Sequence, residues 1–191
     1  MFSSWPSTQA KLARRAAGGD VAAFRTLYRA LHPAVHAYVG RRVAAAAEAE
    51  DLVARVFQRM VEHLPRFDPT RASVRGWVLS IARNAVIDHF RTHREHAPFE
   101  DDDHVAAPLP LPRDDIDERT AAVRAMIETL PATTREMLSL HFTDELGYRE
   151  IAAVVGTTEA AVKQRMARAL RELRTRLREG DEAKGAERYA T

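Results

Sequence analysis

The sequence predicts an all-α protein: two small helical domains joined by an acidic, proline-rich linker, the C-terminal one a helix-turn-helix. Three observations carry this. Apolar residues recur at spacings of three and four through most of the chain, the period of a helix lying on a core. No alternating apolar and polar run argues for a strand. Residues 97–115, APFEDDDHVAAPLPLPRDD, break the pattern with four prolines and a cluster of acids, which bury little apolar surface. The expected domains are 1–96 and 118–179, with a linker at 97–117 and a disordered tail at 180–191.

The elements follow in order. Gly18-Gly19 is a short turn between helices, and Asp20 caps a helix carrying Val21, Phe24, Leu27, Tyr28 and Leu31. Pro33 should kink or interrupt it. Leu52, Val53, Val56, Phe57, Met60, Val61 and Leu64 draw the next stripe. The run Pro65–Arg71, with two prolines, is a loop. Ser73 then caps a helix striped by Val74, Trp77, Val78, Ile81, Ala85 and Val86, where Trp77 fits core packing better than a protruding aromatic wedge. Beyond the linker the period returns at Val123, Met126, Ile127 and Leu130, then at Met137, Leu138, Phe142, Leu146, Ile151, Val154 and Val155. The last helix carries Val162, Met166, Ala169, Leu170, Leu173 and Leu177.

Composition excludes several chemistries. The chain has no cysteine, so disulfides, Cys-based zinc sites and a thiol nucleophile are ruled out. No uninterrupted apolar run is long enough to span a bilayer, and the N-terminus does not resemble a secretory signal, so a cytoplasmic protein without membrane association is expected. His89, His93 and His96 share a helical spacing, but no further ligand completes a metal site, and none is expected. The acids cluster in a linker too mobile to hold a reacting pair, and no glycine loop cradles a phosphate, so neither catalysis nor a cofactor is expected.

The net charge of +2 conceals segregation. Residues 1–96 carry 15 basic and 8 acidic side chains, residues 100–118 one basic and 8 acidic, and residues 159–178 seven basic and two acidic. Two basic modules around an acidic connector point to two polyanion-binding surfaces. In the second, Ala152 is small where two helices cross, Gly156 suits the positive φ of a tight turn, and Thr157 and Thr158 are candidate caps. Lys163, Gln164, Arg165 and Arg168 fall away from the apolar stripe that follows. Such side chains read base edges or hold phosphates in the major groove.

Two segments carry a family resemblance: EAEDLVARVFQRMVEHLPRFDPTRASVRGWVLSIARNAVIDHFRTHRE (48–95) and LPATTREMLSLHFTDELGYREIAAVVGTTEAAVKQRMARALRELRTRL (130–177). Together, in this order, they resemble regions 2 and 4 of bacterial sigma factors of the extracytoplasmic-function (ECF) type. The resemblance implies a promoter-specificity subunit that binds core RNA polymerase, recognises −35 and −10 promoter elements and promotes DNA melting. It implies polymerase contacts around Asp51, Leu52, Phe57, Gln58 and Glu62. It places Asp68, Ser73 and Asn84 at the −10 element, with Asn84 holding an unstacked base, while Arg75 and Arg83 are expected on the phosphate-facing side of the same helix. It matches Lys163, Gln164, Arg165 and Arg168 to the −35 element. An anti-sigma factor is an expected partner, and the free chain is expected to be monomeric. One departure stands out: relatives often carry Gln-Glu or Gln-Asp after Asp-Leu-Val, where this chain has Ala54 and Arg55. Two other readings stay open on the sequence: an independent helix-turn-helix regulator, and an adaptor that sequesters partners without initiating transcription.

Overall fold

The computed structural model describes the backbone of residues 5–93 and 118–189, with side chains over 8–92 and 120–180. The expected linker, 97–117, lies outside the described residues. Four helices build the first half: α1 (Trp5–Ala17), α2 (Val21–Gly40), α3 (Ala46–His63) and α4 (Val74–His93), with a 3-10 turn at Leu64–Arg66. Four build the second: α5 (Glu118–Glu128), α6 (Ala132–Phe142), α7 (Tyr148–Val155) and α8 (Glu159–Tyr189).

Local chemistry sets the helix ends. Asp20 caps α2, its Oδ1 accepting the Ala23 amide at 2.9 Å, while Arg15 donates to its Oδ2 at 2.6 Å. These bonds hold the Asp20 carboxyl below its usual range, the Ala23 amide having the larger effect. Gly19, at φ +90°, supplies the backbone turn between α1 and α2. Of the kink or interruption expected at Pro33, the interruption does not occur: α2 runs through it as one helix. Proline in a helix costs about 3 kcal/mol. Here Leu27 and Leu31 before it, and Val35, Tyr38 and Val39 after it, are all buried on one face, and burial at roughly 1.5–3 kcal/mol per large side chain outweighs the lost bond.

Within the first half, α4 is central, packing against α1, α2 and α3. Leu52, Val53, Val56, Phe57 and Met60 of α3 and Val74, Val78, Ala85 and Val86 of α4 are buried as their spacing predicts. Val61 departs from its stripe, being 51% exposed beside Val21, at the rim of a shallow groove near the α1–α2 turn. Phe142, the last residue of α6, is likewise 61% exposed, its ring set edge-on to His141.

In the second half, Val162, Met166, Ala169 and Leu173 of α8 are buried against α5, α6 and α7. Helix α8 continues to Tyr189, where the sequence suggested a disordered tail from residue 180. No proline interrupts residues 159–189, and Gly180 and Gly185 cost only about 1 kcal/mol each relative to alanine. Among the described residues, no helix is long and apolar enough to cross a membrane.

The two expected helical domains are present and pack on each other. The halves share one contiguous core, and α4 lies directly against α7. Gly76 permits this approach: a Cβ there would sit 3.3 Å from the Cβ of Glu150.

Candidate nucleic-acid interface

Two expected DNA surfaces, one in each half, are built by capped helices. In the second half, α7 ends at Gly156, which adopts φ +72° and donates its amide to the Ala152 carbonyl. The Thr157 amide reaches the same carbonyl at 2.9 Å. This left-handed residue turns the chain within three positions, because glycine has no Cβ to clash. Thr158 then caps α8, its Oγ1 accepting the Ala161 amide at 3.2 Å. With Val162 and Met166 fixed in the core, Lys163, Gln164, Arg165 and Arg168 all stand exposed. Lys163 meets Glu159 one turn earlier at 2.6 Å, an exposed pair of small energetic weight. The result is a helix-turn-helix with a basic, amide-bearing outer face, the form that enters a major groove.

In the first half, the loop before α4 is ordered by its own side chains. Asp68 Oδ1 accepts from the Thr70 amide at 2.8 Å and the Thr70 hydroxyl at 2.7 Å. The hydroxyl first, then the amide, hold the Asp68 carboxyl below its usual range. Phe67 packs on Trp77 with ring centroids 4.8 Å apart, so Trp77 is half-buried against the loop rather than standing out as a wedge. Ser73 caps α4, its Oγ accepting the Gly76 amide at 3.0 Å. Asn84 is exposed and Arg75 half-buried on the same helix.

Ser73 and Arg83 are also engaged across the domain boundary. The Ser73 hydroxyl donates to Glu150 of α7, and Arg149 donates to the Thr70 carbonyl. A groove of about 490 Å³ runs along this seam, lined by Phe67, Thr70, Ser73, Arg149 and Glu150. Arg83 turns inward: its Nε lies 3.2 and 3.1 Å from the two carboxylate oxygens of Glu136 on α6.

Glu136 is wholly buried and is the anion at the centre of the seam. Tyr38 donates to its Oε1 at 2.8 Å, and Arg42, also buried, stands 3.8 Å away. The Arg42 guanidinium lies 3.6 Å from the centroid of the Tyr38 ring and donates to the Tyr38 carbonyl at 3.0 Å. Beside this group, Arg41 Nη2 donates to both oxygens of Asp144, at 3.0 and 2.8 Å. Burial pushes the Tyr38 phenol well above its usual range, and burial pulls the Arg42 guanidinium down.

The expected polymerase-facing helix, α3, exposes Asp51, Gln58 and Glu62, with Gln58 donating to Glu62 at 3.1 Å. Arg55 shares that exposed side. Leu52 and Phe57 are buried, Phe57 against Tyr28 with ring centroids 4.5 Å apart. Among the described residues, no group of His, Cys, Asp and Glu is placed to hold a metal ion, and His89 instead faces Glu48 at 3.3 Å.

Sequence reading missed Tyr38, Arg41, Arg42, Glu136, Asp144 and Glu150. One signal was available: Glu136 lies four residues before Leu140 and beside Met137, so helical spacing already put a carboxylate on the buried face of α6.

The Sigma-70 region 2 family matches residues 27–96, and the Sigma-70, region 4 family matches residues 120–173. The chain is 31% identical over 167 residues to the ECF RNA polymerase sigma factor BldN of Streptomyces coelicolor, covering 85% of this chain but only 63% of BldN. It is 31% identical over 159 residues to the ECF RNA polymerase sigma factor RpoE of Cereibacter sphaeroides, covering 81% of this chain and 86% of that relative. The solved structure of CnrH in complex with the cytosolic domain of CnrY is similar at a TM-score of 0.60 and 26% identity, covering 89% of this chain and 97% of CnrH. With both regions matched in order, the chain belongs to the ECF RNA polymerase sigma factors, non-enzymatic subunits that act in transcription initiation.

Proposed function

We propose that this chain directs core RNA polymerase to promoters by gripping the −35 duplex with α8 and melting the −10 element along α4 and the loop before it. The observation that carries this is the exposed set Lys163, Gln164, Arg165 and Arg168, on a helix held by the Gly156 turn. Polar side chains of α8 read base edges while its cations hold phosphates. In the first half, Asp68, Ser73, Arg75, Arg83 and Asn84 take the −10 strand, Asn84 being the exposed group suited to an unstacked base. On α3, Asp51, Gln58 and Glu62 contact the polymerase, while buried Leu52 and Phe57 fix the helix that presents them.

The domains are 1–96 and 118–179, tethered by the acidic, proline-rich segment 97–117. The protein works in the cytoplasm, where its polymerase is, and is monomeric when free. An anti-sigma factor is a second partner, a reading supported by the likeness to CnrH, which is seen in complex with the cytosolic domain of CnrY.

Run-off transcription with purified core polymerase and a fragmented genomic library tests this. Specific transcripts that vanish with Asn84→Ala or Arg168→Ala are expected. Tight DNA binding by the chain alone, with no transcripts, would sink the reading.

A further inference from the structure

The first half's arginines already hold anions. Glu136 lies between Arg83 and Arg42 under the Tyr38 hydroxyl, and Asp144 takes a two-oxygen contact from Arg41. The side chains of Glu136 and Arg42 have no exposed surface, and those of Arg41 and Arg83 are only 12% and 14% exposed. Guanidinium forks that grip carboxylate oxygens offer the same donors to a phosphodiester.

This closed arrangement and simultaneous contact with both promoter elements are incompatible. Positions −35 and −10 stand about 25 base pairs apart, roughly 85 Å at about 3.4 Å per step. A compact chain of this size has a radius of gyration of only about 16 Å. The residues between His93 and Glu118, when extended, reach about 85 Å. The second half therefore separates from the first on the promoter and takes Glu136 and Asp144 with it. Their departure uncovers the guanidinium groups of Arg41, Arg42 and Arg83 on the face where those carboxylates sat, donors already arranged around an anion's oxygens. Arg83 is next to Asn84 in the chain, so a backbone phosphate is at hand to replace the lost carboxylate.

We propose that Tyr38, Arg41, Arg42 and Arg83 form a phosphate site for the promoter strand at the −10 element, filled in the free chain by Glu136 and Asp144. This rests on the reading of α4 as the −10 surface. The carboxylates act as internal competitors of DNA, so the chain alone binds single strands weakly and opens when the second half is drawn to duplex.

The test is anisotropy of a labelled single-stranded oligonucleotide with the full-length chain. The distance between the halves is followed in parallel by energy transfer between dyes at Arg29→Cys and Arg174→Cys. With no native cysteine, both dyes attach only where intended. Paired Glu136→Gln and Asp144→Asn substitutions should lengthen the distance and raise affinity about tenfold or more. The dependence on salt should also steepen by about 0.7 for each phosphate newly held. Adding Arg41→Ala and Arg83→Ala should cancel the gain while the halves stay apart. Should Glu136→Gln unfold the second half by circular dichroism, Asp144→Asn alone gives the same comparison in milder form.

Opening without a gain in affinity overturns the site. So does a gain that survives loss of the arginines, an unchanged distance, or inorganic phosphate that saturates the opened chain while the oligonucleotide does not compete. Run-off transcription separates this from the underlying reading. Wild-type holoenzyme that makes no specific transcript removes the promoter function. Normal transcripts from the Arg41→Ala, Arg83→Ala holoenzyme remove only the phosphate site.

Discussion

Tyr38 and Glu136, 98 positions apart in the chain, share a buried hydrogen bond of 2.8 Å that fastens the two halves together. The phenol donates, and the carboxylate also faces Arg83 and Arg42, so one negative charge organises groups from α2, α4 and α6. Around this polar centre the buried apolar side chains of both halves form one cluster, and Ser73 and Glu150 add a further hydrogen bond where α4 meets α7.

Tyr38→Phe keeps the ring under Arg42 and removes only the hydroxyl. A buried hydrogen bond to a charged acceptor contributes roughly 1.5–3 kcal/mol. Urea unfolding of the full chain should show a loss in that range, and an unchanged midpoint would show that the bond does not hold the halves.

Gly156→Ala places a Cβ on a residue at φ +72°. The left-handed conformation costs a non-glycine residue about 1–2 kcal/mol. Thermal melting should move down accordingly, and −35 duplex binding by the holoenzyme should weaken because α8 leaves its angle. Wild-type melting together with wild-type binding would contradict the role given to this turn.

On α8 the cations and the amide should behave differently. Lys163→Ala should weaken holoenzyme binding evenly across promoter sequences and lower the salt slope by about 1, as expected of a phosphate contact. Gln164→Ala should instead relax sequence preference, costing about 1–3 kcal/mol on the preferred site alone. Binding to a randomised −35 library distinguishes them, and identical profiles for the two variants would refute the division of roles.

The Asp68 turn responds to acid. Its folded pKa is depressed below the ordinary 3.8 by the Thr70 hydroxyl and amide. A depressed carboxylate stabilises the folded turn above the unfolded pKa, and that contribution fades as pH falls through the folded value. Carboxyl NMR should find Asp68 titrating below 3.8, with Thr70→Val moving it upward. Titration at or above the ordinary value in the wild-type chain would count against the turn.

The α3 and α4 stripes, the Ser73 cap, the Gly156 turn and the exposed face of α8 were legible because each rests on neighbours a few residues away. Helical period and capping chemistry are local, so spacing alone reveals them. Pro33 misled for the complementary reason: its cost is local, but the burial that offsets it comes from the whole first half. Val61 and Phe142 obeyed the period yet stayed exposed, since period places a side chain on a face without saying that another element covers it.

The sequence by itself determined the helical elements, the two sigma regions in order and the basic outer face of α8. Tertiary structure decided which charges are free. Arg83 reads in the chain as one more DNA-facing cation, and only folding brings Glu136 to it from 53 residues away. Ion pairing between distant elements depends on how helices dock. That docking is set by shape and close approach, as where Gly76 admits Glu150, and no periodicity along the chain records it.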